Sequence, residues 1–194
     1  MQGKVYTVYN FCDLEEILRL AEEQPVTYPQ KTVVTVARLS EEKGLLRCVP
    51  IFARLKSEGV QVCWHIVGGG PLEERIKSEI GAYGLEDSIA LEGQQTNPYR
   101  FLKNADFLFL PSFHEAAPVV FDEAIALGVP ILTTDTLSAR ELVTKREAGL
   151  VCGNQEEDIY QMLCKALSSK MTIKNTMHAR RELSMEQFDL VCDI

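Results

Sequence analysis

The chain has 194 residues, room for one ordinary domain and too little for two large ones. Hydrophobic residues make up 46% and charged residues 25%, a globular mix that can bury a sizeable core. The net charge of −8 repels a polyphosphate backbone, which argues against nucleic acid as a partner and leaves space for a local cationic site for one small anion.

In chain order, residues 5–9 read as a short strand. Asp13 can cap a helix over 14–23, with Glu16 placed for a capping box. Residues 24–30 carry two prolines and read as a linker. The β-branched run 32–37 is a buried strand, and the charged loop 38–43 leads into a helix over 44–57. A second strand over 61–67 ends in Gly68-Gly69-Gly70-Pro71, and Pro71 suits the first position of a helix over 72–83. A third strand covers 88–91, and Asn97 caps a short helix that opens with Pro98 and ends by Ala105. The fourth strand is 106–110, followed by a helix from Pro118, a strand over 131–134 and a short helix over 138–143. A last strand at 149–152 and a helix over 155–167 complete the body, and 172–191, without Gly or Pro, adds one more helix. Alternation of strands and helices predicts an α/β fold: a Rossmann-like, doubly wound, mainly parallel six-stranded sheet with helices on both faces.

Six cysteines, at 12, 48, 63, 152, 164 and 192, form no Cys-x-x-Cys pair and read as buried, reduced thiols of a cytosolic protein. No apolar run reaches the ~18 residues of a membrane span. Residues 1–20 lack the basic start and apolar block of a signal peptide.

In a doubly wound sheet all the strand ends that bind ligands share one edge, and three loops there have distinctive chemistry. The first, ARLSEEKG, brings Arg38 and Lys43 within reach of one anion; the other reading is two solvated cations pairing with Glu41 and Glu42. The second, VGGGP, offers glycine backbone that a ligand can approach closely, though a tight turn explains it too. It matches neither the dinucleotide fingerprint nor the phosphate loop. The third, PSFHEAAP, runs into a helix start, where free amides of Val119, Val120 and Ala117 favour an anion and Pro118 has no N–H to give. The segment 115–127, EAAPVVFDEAIAL, carries two carboxylates eight positions apart. Glu115 is a poor neighbour for phosphate and a good one for sugar hydroxyls. Glu123 shares a helix face with apolar residues and needs a donor: a ribose diol, a backbone amide or Lys103. His114 could touch the ligand or bond locally. No His cluster has metal-ligand spacing, and no nucleophile elbow or His-Glu-x-x-His occurs.

An ordered series of motifs carries a family resemblance: VYNFCDLEEI, VARLSEEKG, HIVGGGPLEERI, ADFLFLPSFHEAAPVVFDEAIALGVPIL and SARELV. Over residues 5–167 the chain resembles the C-terminal, donor-binding half of retaining glycosyltransferases of the two-Rossmann-domain, GT-B type, family 4. The Glu-x7-Glu pair, Glu115 and Glu123, is that family's signature. The resemblance implies that Arg38 and Lys43 hold the donor diphosphate and that Gly68 and Gly70 line the cleft. By the same resemblance Glu115 is the catalytic-centre residue at the donor sugar, the Val119 and Val120 amides cradle phosphate, and Glu123 grips the ribose. Gly93 and Gln94 would lie near the base, and Glu141 at the cleft edge.

The family's Glu-Gly-Phe-Gly is Glu115-Ala116-Ala117-Pro118 here, so one amide donor is gone, and its Gly-Gly before the later glutamate is replaced by 137–140, LSAR. Family members carry a second, N-terminal acceptor-binding domain, which is expected to be missing. Residues 1–30 would be the interdomain segment and linker, 31–169 the nucleotide-sugar domain and 170–194 a C-terminal helix. The implied partners are a UDP- or GDP-type nucleotide sugar and, in the full enzyme, a glycan or lipid-linked acceptor, in the cytoplasm or peripheral at the inner membrane face. No cofactor and no metal is required if Arg38 and Lys43 supply the positive charge, and no Asp-x-Asp motif is present. A sugar-nucleotide epimerase of the same fold and a non-catalytic nucleotide-sugar module are the rival readings.

Overall fold

A computed structural model describes residues 12–173. The strand expected at 5–9, Cys192 and nearly all of the helix expected at 172–191 lie outside them. Six parallel strands form one sheet: β1 (Thr32–Val36), β2 (Cys63–Val67), β3 (Ile89–Gly93), β4 (Phe107–Leu110), β5 (Ile131–Thr134) and β6 (Gly149–Cys152). Their order is β3-β2-β1-β4-β5-β6, the doubly wound arrangement, with the direction of winding reversing between β1 and β4. Such a reversal opens a crevice at the carboxyl ends of the two strands.

Successive strand residues face opposite sides, and both sides are buried. On one side Val33, Trp64, Ile66 and Phe109 pack with α2 (Val49–Ser57), α3 (Glu73–Ala82) and α6 (Glu156–Leu167). Phe52 of α2 stacks on Trp64 at 4.7 Å between ring centroids, and the indole N–H donates to the buried Thr35 hydroxyl at 2.9 Å. On the other side Val34, Leu108 and Ile131 pack with α1 (Leu14–Ala21), α4 (Tyr99–Leu102) and α5 (Val119–Ala126).

Several departures from the sequence reading trace to contacts made across the fold. The helix expected from residue 44 begins at Val49, because Gly44 takes a left-handed φ of +64° that ends a 3-10 turn at Glu41–Lys43, and a second 3-10 turn, Leu46–Cys48, intervenes. A Cβ at Gly44 would lie 2.4 Å from the Pro111 carbonyl oxygen, so tertiary packing fixes that turn. Pro71 precedes α3 by two residues instead of opening it. Asn97 does not cap α4; its amide donates to the Leu20 carbonyl at 2.8 Å. Asp13 caps α1 by accepting from the Glu16 amide at 3.1 Å, but the Glu16 carboxylate turns to Arg19, leaving half a capping box. The expected helix over 138–143 is a π-helical turn, Arg140–Thr144. Of the five described cysteines, all unbridged, Cys48 alone is fully buried. The others are partly buried, Cys12, Cys152 and Cys164 packing against the core and Cys63 accepting at its sulfur from the Gln30 amide at 2.7 Å.

Candidate functional site

The loops after β1, β2 and β4 leave the same sheet edge and are tied together by backbone bonds. Leu39 N donates to Gly69 O at 3.0 Å, Leu72 N to Leu39 O at 3.1 Å and Phe113 N to Glu42 O at 2.8 Å. The glycines make this approach possible. A Cβ on Gly68, whose φ is +143°, would sit 1.9 Å from the Ala37 carbonyl oxygen, and one on Gly70 would sit 2.5 Å from that of Leu39. Their bare backbones therefore admit the neighbouring loop; Gly68 also borders the cavity described next, whereas Gly70 is not among the residues that line it. Gly69, with nothing nearer than 3.8 Å, keeps open space beside it.

Between the ends of β1, β2 and β3 lies a cavity of about 410 Å³ whose wall includes Arg38, Gly68, Gly69 and Gln94. Arg38 is exposed and forms no ion pair among the described residues. Gly93 ends β3 with φ +66°, and its carbonyl accepts from Gly68 N at 2.8 Å. The remaining expected residues gather one strand over, beyond β4, and do not line this cavity.

There Lys43 and Glu115 meet. Lys43 Nζ lies 2.6 Å from Glu115 Oε1, which also accepts from Ser112 Oγ at 2.7 Å. Their side chains are 20% and 8% exposed, so solvent screens the pair weakly. The pairing with Glu41 and Glu42 does not form: Glu42 accepts from Ser40 Oγ, and Glu41 faces Arg75. After Glu115 the loop reaches α5 through Pro118, extended at ψ 119°, which caps the helix with no side-chain bond. The amide of Phe121 already donates to the Pro118 carbonyl at 3.1 Å, so the helix start offers Val119 and Val120, the former 43% exposed. His114 is exposed on the same loop, and Glu141 is exposed in the π-helical turn that follows β5.

Glu123 stands on the second turn of α5, half-buried, and the Tyr99 hydroxyl donates to its Oε1 at 3.0 Å. Burial raises its carboxyl above the usual range; the Tyr99 bond pulls it back down, and neighbouring Asp122 pushes it up. Lys103, expected as a possible donor, pairs with Glu22 instead.

Two contributions escaped the sequence reading. Arg47 ties three loops together: its guanidinium donates to Pro111 O at 2.6 Å and to Asn154 O at 2.6 Å, and lies 3.8 Å over the Phe113 ring. Asp122, 2% exposed, accepts from Arg146 at 2.9 Å, which fixes α5 against the segment before β6. An acid inside the apolar run VVFDEAIAL was the available signal, since a buried charge requires a partner. Among the described residues no group of His, Cys, Asp and Glu could hold a metal, and no helix is long and apolar enough to cross a membrane.

The sequence profile of the family described as Glycosyl transferases group 1 matches residues 19–182. The amylovoran biosynthesis glycosyltransferase AmsK of Erwinia amylovora is 34% identical over 140 residues, covering 68% of this chain and 33% of AmsK. Campylobacter jejuni N-acetylgalactosamine-N,N'-diacetylbacillosaminyl-diphospho-undecaprenol 4-alpha-N-acetylgalactosaminyltransferase is 31% identical over 162 residues, covering 82% of this chain and 43% of that protein. The chain thus spans well under half the length of these curated relatives. Anabaena Alr3699/HepE, solved in complex with UDP and glucose, superposes with a TM-score of 0.68 at 19% identity, over 95% of this chain and 53% of HepE. That likeness establishes a common fold.

Proposed function

Because the chain belongs to the Glycosyl transferases group 1 family, we propose that it is the donor-binding half of a retaining glycosyltransferase of bacterial polysaccharide biosynthesis. It would serve transfer of a hexose-type sugar from a UDP- or GDP-type donor to a glycan or lipid-linked acceptor held by a second, N-terminal domain. The observation that carries the reading is the meeting of Lys43 and Glu115 at 2.6 Å, at the switch between β1 and β4, one short loop ahead of a helix start. A cation and an acid meet at the loop that leads to a helix start, a pairing of chemistries suited to the phosphates and hydroxyls of a sugar diphosphate.

In this arrangement Lys43, Arg38 and the amides of Val119 and Val120 bind the diphosphate, and Glu115 orients the sugar. Gln94 and Gly93 lie toward the base, and Glu123 accepts from the ribose. Negative charge develops on the leaving diphosphate in the transition state, and fixed cations and helix amides act on that charge. They do so without a metal. The donor-binding half holds the nucleotide sugar, transfer requires the acceptor-binding half beside it, and the enzyme works in the cytoplasm. The presence of Glu115 beside Lys43 favours the transferase over a bare nucleotide-binding module.

Calorimetric titration of the chain against UDP, GDP, ADP and their sugars tests this and selects the base. Charge-assisted bonds contribute about 1.5–3 kcal/mol each, so Arg38→Ala or Lys43→Ala should weaken nucleoside diphosphate binding roughly tenfold or more. Unchanged affinity in both variants removes the proposed phosphate site.

A further inference from the structure

We infer that Tyr99 is a positioning residue: its hydroxyl fixes the Glu123 carboxylate against the ribose of a bound nucleotide. The inference rests on the reading of Glu123 as the ribose ligand and adds to it the group that aims that ligand.

The geometry begins with α4, a single turn that cannot persist on its own hydrogen bonds and is held by its surroundings. Phe101 and Leu102 anchor it in the core at 6% and 0% exposure. Tyr28 OH donates to Phe101 O at 2.7 Å, and Asn97, just ahead of the turn, donates to Leu20 O at 2.8 Å. Tyr99 is therefore carried on a fixed mount. Pro98, immediately before it, forms part of the wall of the 410 Å³ cavity. Tyr99 thus joins the wall of that cavity to α5, the helix that carries Glu123.

The carboxylate contacts are asymmetric. Oε1 accepts from Tyr99 at 3.0 Å, while Oε2 has no hydrogen-bond partner among the described residues. A carboxylate has about four acceptor directions. With one oxygen held by a phenol, the plane of the group is set and the second oxygen remains for a vicinal diol.

The hydroxyl also bears on protonation. Burial raises the Glu123 carboxyl, Asp122 beside it on α5 raises it further, and Tyr99 from α4 opposes both. Asp122 is itself paired with Arg146, and Cys12 and Glu16, from the α1 side, act on Tyr99 in turn. Only the ionised carboxylate accepts both diol hydrogens, so affinity falls as pH drops through the Glu123 titration. Removing the phenol hydroxyl takes away the influence that lowers that titration, and the loss must then begin at higher pH.

The test compares UDP with 2′-deoxy-UDP, or the guanine pair if the chain prefers GDP, on the wild-type chain and on Tyr99→Phe, by calorimetry between pH 5 and 8. Wild type should favour the ribonucleotide by about tenfold, the worth of one bond to a charged group. Tyr99→Phe should erase most of that preference, leave 2′-deoxy-UDP within about twofold of wild type, and move the acid limb of UDP binding upward. In a Glu123→Gln background Tyr99→Phe should change nothing further. Equal weakening of both nucleotides, a preserved preference, or an undiminished effect in the Glu123→Gln background overturns the role given to Tyr99. A wild-type chain that binds UDP but ignores the 2′ hydroxyl overturns the ribose reading of Glu123, and this inference with it. A chain that binds no nucleoside diphosphate defeats the proposed function before Tyr99 is reached.

Discussion

Lys43 lies 2.6 Å from Glu115, and the diphosphate proposed to bind beside them would claim the same ammonium. A carboxylate 8% exposed next to a phosphate is unfavourable unless something separates them, and a sugar hydroxyl is the group that could. The two glutamates of the segment 115–127 are thus in different situations: Glu115 is held by a cation, Glu123 by a phenol. Glu115→Gln removes the charge that competes for Lys43. Nucleoside diphosphate without sugar should then bind more tightly, by about 1 kcal/mol or roughly fivefold. The extra affinity that the intact nucleotide sugar has over the bare diphosphate should shrink. Parallel calorimetric titrations with UDP and a UDP-sugar measure both, and a Gln variant that binds UDP more weakly than wild type contradicts the competition.

At the scale of elements, α5 carries Glu123 and the amides of Val119 and Val120, and a buried ion pair sets its position. Asp122 and Arg146 have side chains 3% and 16% exposed. Deleting one partner of such a pair leaves a buried charge short of its counter-ion, which costs about 3–5 kcal/mol. Arg146→Ala should lower stability by about 3 kcal/mol in urea denaturation, near the low end because the arginine is partly wet. Asp122→Asn combined with Arg146→Leu should recover part of the loss, since the buried carboxylate that lost its arginine is then neutral. A single variant within about 0.5 kcal/mol of wild type would show that α5 is held by packing alone. The strands were legible because strands of a parallel sheet are buried on both faces and read as apolar, β-branched runs such as TVVTV and FLFL. The start of α2 was not legible. It is set by Gly44 against the Pro111 carbonyl and by Arg47, whose partners lie 64 and 107 residues away. The residues of the candidate site were identified more readily than their contacts: Gly68 and Gly70 stood out in sequence, but only coordinates reveal that they make room for the loop after β1.

Over the whole molecule, the doubly wound order puts β1 at the centre, and the two halves of the candidate site hang from its carboxyl end. The cavity of about 410 Å³ with Arg38 and Gln94 lies toward β3, and the Lys43–Glu115 pair with the start of α5 lies toward β4. A nucleoside diphosphate long enough to reach from one to the other would bridge loops that are otherwise joined by a few backbone bonds. Binding should therefore stiffen that edge more than the opposite one. A ligand at a hundred times its dissociation constant adds about 2.7 kcal/mol to stability, which for a chain of this size raises the melting temperature by roughly 5–10 °C. UDP or GDP should give that shift, and uridine or guanosine, without the phosphates, should give little of it. Hydrogen exchange should slow in loops 38–43, 68–71 and 111–118, while the turn at 59–62, at the amino end of the sheet, stays unchanged. Protection confined to the β3 side would mean that the nucleotide occupies the cavity without engaging Lys43. In that case Lys43→Ala should leave the thermal shift intact, whereas bridging requires that Arg38→Ala and Lys43→Ala each diminish it.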